Sequence, residues 1–392
     1  MNEDITWAGY ESRLREFVRA ALTQPTPAMS FNELALELFR LQFQHNAVYQ
    51  RLCLARGVTP ESLASWMEIP AVPTTAFKEL DMTSLAPDER TAVFYSSGTT
   101  EHRRSRHFHH AASLALYEVS LLPWFERHLL ADLPDLVDEQ LLGPLDRLPF
   151  LFLTPPPETA PHSSLVHMFA TVRREFAARD SLFAGQLDAT GAWTLDLDAT
   201  LFAIRKSMCA NRPLVLLGTA FNFVHLLDHF AANNMRYRLA RGSRVLETGG
   251  YKGQSRVVPK TELHALFTKH LGIAPENIVT EYGMSELSSQ AYDRIAGSPS
   301  HSPSDSFTHP PALRLPPWSR ALVLSPETGR EVADGETGLL RVFDLANVRS
   351  VMAIQTEDLA VRRGDAFELI GRAAQAEPRG CSLMSGSADI SR

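Results

Sequence analysis

The chain has 392 residues, of which 44% are hydrophobic and 21% are charged, and its formal net charge at pH 7 is −7. This length predicts two or three subdomains, and the negative charge argues against a protein that coats nucleic acid. The three cysteines are too few, and odd in number, for a disulfide framework. With no signal peptide and no apolar run as long as a membrane span, we expect a cytoplasmic protein.

Residues 1–90 are predicted to form an N-terminal helical region. Ser30 and Glu33 match a capping box at the start of a long stretch with helical periodicity, which ends near Gly57. Thr59 and Pro60 then suit a second helix start, because proline is tolerated in the first turn.

Residues 91–300 alternate short apolar runs with longer helical segments. The runs are TAVFY, PFLFLT, PLVLLG, SRVLETGG and NIVTEYG, and each closes on a small or polar residue. Buried strands that alternate with helices predict a mainly parallel α/β sheet. Ligands bind outside the carboxyl ends of the strands in such sheets, so the chemistry is expected just after each run.

The remaining chain divides into three parts. Residues 297–311 are rich in Ser, Pro and His and are interpreted as a linker. Residues 312–373 contain short strands and turn pairs such as Asp334–Gly335, which predict an antiparallel β-rich subdomain. Residues 374–392 form a tail that carries Cys381.

A hydroxyl-rich loop follows the first apolar run. Its side chains and backbone N–H groups can surround an oxyanion, and Arg106 adds positive charge suited to phosphate. The loop is not a Walker A motif, because the second glycine and the Gly-Lys-Ser/Thr ending are missing. A polar turn with a solvated basic face is the alternative interpretation. The loop residues are Ser96, Ser97, Gly98, Thr99 and Thr100.

The order of the later motifs favours a nucleotide-dependent enzyme. After the hydroxyl loop come ETGGYKG (247–253), EYGMSE (281–286), TEDL (356–359) and the pair Gly371–Arg372. This series resembles the adenylate-forming superfamily. With PHSSLVHM, LLGTAFNFVHLLD and RGCSL, the match over about residues 70–385 resembles more narrowly the LuxE-type acyl-protein synthetases and the related phenylacetate–CoA ligase group.

The resemblance implies a fold and a set of roles. The fold is an α/β adenylate-forming large domain, with doubly wound α/β subdomains and a C-terminal β subdomain. ATP and Mg²⁺ are implied, with Glu286 near the metal and Ser285 donating to the α-phosphate. Tyr282, followed by Gly283, would stack on adenine. Gly249 and Gly250 would let the backbone approach the adenine edge, Asp358 would accept from the ribose hydroxyls, and Arg372 would reach ribose or phosphate.

Two features depart from the superfamily pattern. Glu101 stands where the loop commonly has glycine, and a carboxylate beside phosphate is repulsive unless it points away or pairs with an arginine. The chain also ends soon after Arg372, so we expect it to lack the usual mobile C-terminal domain with its catalytic lysine.

Cys381 is a candidate acyl acceptor. The resemblance implies that a cysteine near the C-terminus takes the acyl group as a thioester, and nearby positive charge would lower the pKa of such a thiol. A tail cysteine without a catalytic role is the alternative. Cys53 and Cys209 are interpreted as structural.

The histidines allow two interpretations. His107, His109 and His110 lack convincing zinc-ligand spacing, and a surface location is expected for most of them. The resemblance places His167 and His225 near the acyl pocket, although both could be satisfied core histidines. Phe221 and Phe223 complete the predicted pocket.

The predicted function is ATP-dependent activation of a carboxylic acid, in the first place a fatty acid, followed by acyl transfer to a thiol. The acceptor is the protein's own Cys381 or, in the alternative, coenzyme A or a carrier protein. An acyl reductase, a transferase or a carrier protein is the expected partner. A catalytically degenerate nucleotide-binding scaffold is the alternative of another class, and Glu101 is the feature that supports it.

Overall fold

The computed structural model describes residues 5–24, 28–96, 104–133, 148–249, 258–298 and 312–373. The hydroxyl-loop residues 97–100, Glu101, Gly250 and Cys381 lie outside them. Within these ranges, no helix has both the length and the apolar character needed to cross a membrane.

The N-terminal region is helical, as predicted, but its long periodic stretch forms two helices. Helix α1 spans Trp7–Thr23, α2 spans Phe31–His45 and α3 spans Ala47–Ala55. Ser30 and Glu33 form the predicted capping box. Asn46 divides α2 from α3, because its side chain accepts from the Tyr49 N–H and begins a new helix.

The predicted helix after Thr59 is a single 3₁₀ turn, Pro60–Ser62. Two more 3₁₀ turns, Trp66–Glu68 and Pro87–Glu89, and the short helix α4, Ala76–Glu79, complete this region. Prolines and Ser/Thr caps set these turns, but no apolar periodic run follows to extend them into helices.

The N-terminal helices pack on the C-terminal sheet. Strand β1, Val72–Pro73, pairs in parallel with strand β14, Ala353–Arg363. The Tyr10 hydroxyl donates to the Leu345 carbonyl at 3.0 Å, and Gln42 Nε2 donates to the Asn347 carbonyl at 2.7 Å. The first and last parts of the chain therefore share one hydrophobic core.

A six-stranded sheet forms the centre of the molecule, in the order β11-β10-β9-β8-β4-β5. Its pairs are parallel except for β10 with β11. The strands are β4 Phe150–Phe152, β5 Leu182–Phe183, β8 Val215–Thr219, β9 Arg244–Thr248, β10 Ile278–Tyr282 and β11 Ala291–Tyr292. The mainly parallel sheet predicted from the apolar runs is confirmed.

Helices cover both faces of this sheet. The helices are α5 Ala111–Leu129, α6 Ser164–Phe176, α7 Leu197–Cys209, α8 Ala220–Ala232 and α9 Lys260–Leu271. Phe150 and Phe152 point to the side of α5 and α6, whereas Leu151 and Leu153 point to the side of α7, α8 and α9. Because successive residues of a strand face opposite sides, an unbroken apolar run can serve both layers.

The prediction that all five apolar runs belong to the central sheet is wrong for one of them, TAVFY. TAVFY contributes β2, Ala92–Tyr95, which pairs antiparallel with β3, Arg106–His109, and these two strands form a sheet of their own. A second small sheet pairs β6, Gly185–Leu187, with β7, Trp193–Leu195. A four-residue apolar run does not reveal its partner, because strand pairing is set by the whole fold.

The C-terminal subdomain is the predicted antiparallel β region. Its strands are β12 Ser319–Leu324, β13 Thr337–Asp344, β14 and β15 Ala366–Arg372, and consecutive strands pair antiparallel. Gly335, in the predicted Asp334–Gly335 turn, has a φ of 84°, a backbone conformation that glycine adopts without strain.

Candidate active site

A hydrogen-bonded triad joins the central sheet to the C-terminal sheet. Tyr282, the last residue of β10, donates its hydroxyl proton to Asp358 Oδ2 at 2.8 Å. Arg372 Nε lies 3.3 Å from Asp358 Oδ1, and the two residues are register partners in β14 and β15. Tyr282 is buried, whereas the Arg372 side chain is 79% exposed. Three residues from widely separated motifs thus meet at one edge of the molecule.

The chain after Tyr282 forms a buried loop that carries Ser285 and Glu286. Glu286 is 4% exposed, and its Oε2 accepts from Ser285 Oγ at 2.9 Å. Gly283 packs closely on Glu281, since a Cβ there would lie 2.4 Å from Glu281 Oε1 and this carboxylate would have to shift. The two predicted catalytic side chains therefore lie side by side, directly after the strand that carries Tyr282.

A buried carboxylate and a buried amide anchor this loop. Asp344, at the end of β13, accepts from the Ser288 N–H at 2.9 Å and from Ser289 Oγ at 2.7 Å. Asn347 Nδ2 donates to the Glu286 carbonyl at 2.7 Å. Burial raises the pKa of Asp344, while these hydrogen bonds oppose the shift by favouring the charged form.

Sequence reasoning missed Asp344 and Asn347. The segment FDLAN does place an acid and an amide directly after an apolar run, which is the signal used for the other motifs. These side chains bind the protein's own loop, and an acid after a strand does not show whether its partner is a ligand or the backbone.

The β2–β3 hairpin brackets the predicted phosphate loop. Ser96 Oγ accepts from the Ser105 N–H at 2.9 Å, and the Ser96 N–H donates to the Ser105 carbonyl at 3.2 Å, which closes the two strands just before residue 97. Arg106 Nη2 lies 3.0 Å from Asp81 Oδ1, and Asp81 also binds Arg90. Arg106 would have to share or leave Asp81 in order to bind a phosphate.

The surface location expected for most of the hairpin histidines is wrong. His107 and His109 are each 2% exposed, and His110 is half-buried as the cap of α5. Burial lowers the pKa of His107 to about 4 and that of His109 well below its ordinary value, so both rings are neutral at physiological pH. The alternation along β3 turns both rings inward, which composition alone does not reveal.

The ends of β9 and β10 carry two buried acids. Glu247 accepts from Thr280 Oγ1 at 2.8 Å, and Glu281 accepts from the Thr248 hydroxyl. Burial, opposed by that hydrogen bond and aided by the charge of Glu247, raises the pKa of Glu281 to about 7. Gly249 follows with a φ of 68°, a backbone conformation that favours glycine.

The four predicted acyl-pocket residues are not all brought together. His167 packs against Phe94, with ring centroids 5.3 Å apart, on the α5–α6 side of the central sheet. Phe223 lies on the opposite side, fully buried against Phe267 of α9. Phe221 is half-buried in the first turn of α8, and its ring meets that of the exposed His225 edge to face, with centroids 4.5 Å apart. One pocket cannot contain both His167 and Phe223, because the sheet separates them.

The two cysteines that were interpreted as structural differ in their burial. Cys53 is buried within α3, as expected for a structural residue, and burial raises its pKa to about 11. Cys209 ends α7 but is exposed, so its predicted structural role is wrong. The sequence near a helix end does not reveal which face of the helix the residue occupies.

The described residues fit a magnesium ion held jointly with phosphate. No group of three or more His, Cys, Asp or Glu side chains with metal-binding spacing occurs within the described ranges. Glu286 supplies one buried carboxylate beside a serine hydroxyl. This donor set suits Mg²⁺, which commonly binds one or two carboxylates and completes its shell with substrate phosphates and water.

Comparisons with known proteins agree on the family. The model of the family described as acyl-protein synthetase, LuxE, matches residues 139–388. A long-chain-fatty-acid–luciferin-component ligase of Aliivibrio fischeri is 22% identical over 377 residues, which cover 90% of this chain and 86% of the relative. The ligase of the same name from Vibrio harveyi is 21% identical over 368 residues, covering 89% and 85%.

Solved structures show the same fold. An open conformation of 2-hydroxyisobutyryl-CoA ligase, in complex with its acyl-adenylate and CoA, has a TM-score of 0.57 at 13% identity, covering 89% of this chain and 80% of that chain. The same ligase in its thioesterification state has a TM-score of 0.58 at 14% identity, covering 89% and 72%. The described architecture is therefore the adenylate-forming fold.

The family match spans more than half of the chain and includes the Ser285–Glu286 loop, Asp358 and Arg372. The chain belongs to the LuxE acyl-protein synthetase family and is an ATP-dependent acyl-activating ligase with the adenylate-forming fold.

Proposed function

We propose that the protein joins a long-chain fatty acid to ATP, with release of pyrophosphate, and then passes the acyl group from the acyl-adenylate to the thiol of Cys381. The carboxylate oxygen attacks the α-phosphorus in the first step, and pyrophosphate leaves. The thiolate attacks the acyl carbonyl in the second step, and AMP leaves. The names of the relatives support a fatty acid, and the family match to residue 388 includes Cys381.

The observation that carries this proposal is the meeting of Tyr282, Asp358 and Arg372 one short loop away from Ser285 and Glu286. Tyr282 would provide a flat aromatic face for adenine, and Asp358 would accept from the ribose hydroxyls. Ser285 would donate to the α-phosphate, where negative charge grows in the transition state. Preorganised donors lower the barrier most at such a position.

The triphosphate is assigned to the hairpin and the buried loop. Ser96, at the end of β2, leads into the hydroxyl loop that would hold the outer phosphates. Glu286 would ligate Mg²⁺ together with phosphate oxygens, and the metal, when bound, would offset the charge of the triphosphate. Arg106 would exchange Asp81 for phosphate, and Gly249 and Gly250 would allow the chain to approach the nucleotide closely.

The acyl group is assigned to the α5–α6 side of the central sheet, near His167 and Phe94, because Phe221, Phe223 and His225 all belong to α8 on the opposite side. A protein partner, either an acyl reductase or a transferase, would then take the acyl group from Cys381 by a second exchange. A cytoplasmic setting suits this chemistry, because reducing conditions keep the thiol free.

Pyrophosphate release tests the activation step. The purified protein is supplied with ATP, Mg²⁺ and, in turn, saturated fatty acids of increasing length, benzoate and phenylacetate. Release that rises with alkyl length supports the proposal, whereas release with aryl acids alone contradicts the fatty-acid assignment. ATP binding without release for any acid would favour the nucleotide-binding scaffold.

Mass spectrometry after turnover tests the acceptor. A hydroxylamine-labile acyl adduct on Cys381 supports self-acylation. Steady turnover that needs added coenzyme A, and is unchanged in Cys381→Ser, would assign the protein to the CoA-ligase or carrier-ligase alternative.

A further inference from the structure

A buried histidine links the phosphate-loop hairpin to the Ser285–Glu286 loop. His107 lies in β3 opposite Phe94 of β2, in the hairpin that brackets the hydroxyl loop. Its Nδ1 lies 2.8 Å from the Ser285 carbonyl oxygen, although the two residues are 178 positions apart. This contact joins the segment predicted to hold the outer phosphates to the segment predicted to act at the α-phosphate.

The partner of His107 determines its tautomer. A carbonyl oxygen can only accept, so Nδ1 carries the proton and Nε2 carries the lone pair. Because burial lowers the pKa of His107 to about 4, the ring stays neutral at physiological pH. It therefore donates a hydrogen bond without placing a positive charge beside the carboxylate of Glu286.

The Ser285–Glu286 backbone is held from two sides. His107 donates to the Ser285 carbonyl, and Asn347 donates to the next carbonyl, that of Glu286, at 2.7 Å. Ser285 and Glu286 are the central residues of a turn that is closed by the Leu287 N–H and the Met284 carbonyl at 3.1 Å. The two further donors bind the carbonyls of this turn and leave both side chains available. Asn347 follows strand β13 of the C-terminal subdomain, and His107 belongs to the β2–β3 hairpin, so the two donors come from different parts of the structure.

We propose that His107 is a positioning residue, which sets the placement of Ser285 and Glu286 relative to the β2–β3 hairpin through its Nδ1–H bond to the Ser285 carbonyl. The proposal rests on the proposed roles of Ser285 and Glu286 in adenylation. His107 need not touch ATP, and no proton is transferred. Displacement of a reacting group by about 1 Å can cost about 100-fold in rate, so loss of this bond should act mainly on kcat.

Three substitutions separate the hydrogen bond from the packing of the ring. His107→Phe keeps an aromatic ring in the buried site but removes the donor. His107→Asn loses the ring but keeps an amide N–H close to the position of Nδ1, and His107→Gln moves that N–H one bond further away. We expect Phe and Gln to lower kcat for pyrophosphate release by about 100-fold, with little change in the KM for ATP, and Asn to retain most of the rate.

His128 provides a matched control. It is also buried and neutral, burial lowers its pKa to about 4, and its Nδ1 contacts the Trp124 carbonyl at 2.8 Å, within α5. We expect His128→Phe and His128→Asn to change the Tm. The large difference in kcat that is expected between His107→Phe and His107→Asn should be absent from the His128 pair. Equal rates in His107→Phe and wild type, equal losses in the Phe and Asn variants, or the same kcat pattern at His128 would overturn the proposal.

Hydrogen exchange gives a readout that does not need activity. Peptides covering residues 283–290 should exchange faster in His107→Phe and His107→Gln than in wild type or His107→Asn. Unchanged exchange in all three variants would overturn the positioning role. If wild type releases no pyrophosphate with any acid, the proposed function fails, and the exchange pattern still decides whether His107 holds the loop. If His107→Phe does not fold, the Asn and Gln variants carry the same comparison.

Discussion

Asp358 offers the sharpest test of the nucleotide site. An ionised carboxylate has about four acceptor positions, of which Tyr282 and Arg372 use two, so both ribose hydroxyls can bind without displacing them. A hydrogen bond to a charged group contributes about 1.5–3 kcal/mol. Loss of two such bonds at the lower limit, about 3 kcal/mol, corresponds to about 150-fold in ATP affinity.

The effect of removing Asp358 on the free energy of unfolding can be separated from the loss of ATP affinity. Arg372 is largely exposed, so its ion pair contributes about 0–1 kcal/mol. The buried Tyr282 hydroxyl would lose its acceptor in Asp358→Ala, which lowers the free energy of unfolding by about 1–3 kcal/mol. Asp358→Asn keeps an oxygen that can accept from Tyr282 and serves as the matched variant.

The assay compares ATP with 2′,3′-dideoxyadenosine triphosphate in acid-dependent pyrophosphate exchange. Wild type should prefer ATP to the dideoxy analogue by about 150-fold. Asp358→Ala should lose most of this preference, because the carboxylate that accepts from the ribose hydroxyls is then absent for both nucleotides. Asp358→Asn should retain an intermediate preference. If Asp358→Ala keeps the full preference of wild type, the ribose hydroxyls bind elsewhere and the assignment is refuted.

Three further predictions concern the catalytic and buried acids and the tail thiol. Glu286→Gln should lower adenylation by about 100-fold or more while leaving the Tm close to wild type, because glutamine still accepts from Ser285 Oγ; near-normal pyrophosphate release would remove the metal assignment. Cys381→Ser should release pyrophosphate in a single turnover but form no hydroxylamine-labile thioester; a labile adduct elsewhere in the chain would contradict its role as acceptor. Burial raises the pKa of Glu281 to about 7, so the folded protein retains a proton that the unfolded chain releases, and stability falls as the pH rises from about 4.5 to 7. Glu281→Gln should therefore raise the Tm more at about pH 8 than at about pH 5, and the free energy of unfolding should rise by up to about 3 kcal/mol more at the higher pH. Equal effects at both pH values would show that Glu281 is not protonated in the folded protein.

Local signals in the sequence were sufficient for most of the elements and for the family. The capping box at Ser30 begins α2 as predicted, and the runs ending at Thr219, Thr248 and Tyr282 are parallel strands whose ends carry the motifs. These features depend on residues a few positions apart, or on apolar runs that any buried strand needs. The order of the motifs was specific enough to identify the family.

Only the tertiary structure decided which residues meet. It separated His167 from Phe223 by a sheet, buried His107 and His109, and brought Asp344 and Asn347 to the Ser285–Glu286 loop. Each of these outcomes depends on contacts between segments far apart in the chain, whereas propensity and periodicity act over a few residues. The sequence therefore determined which chemical groups the protein contains, and the packing of its sheets and helices determined which of them can act together.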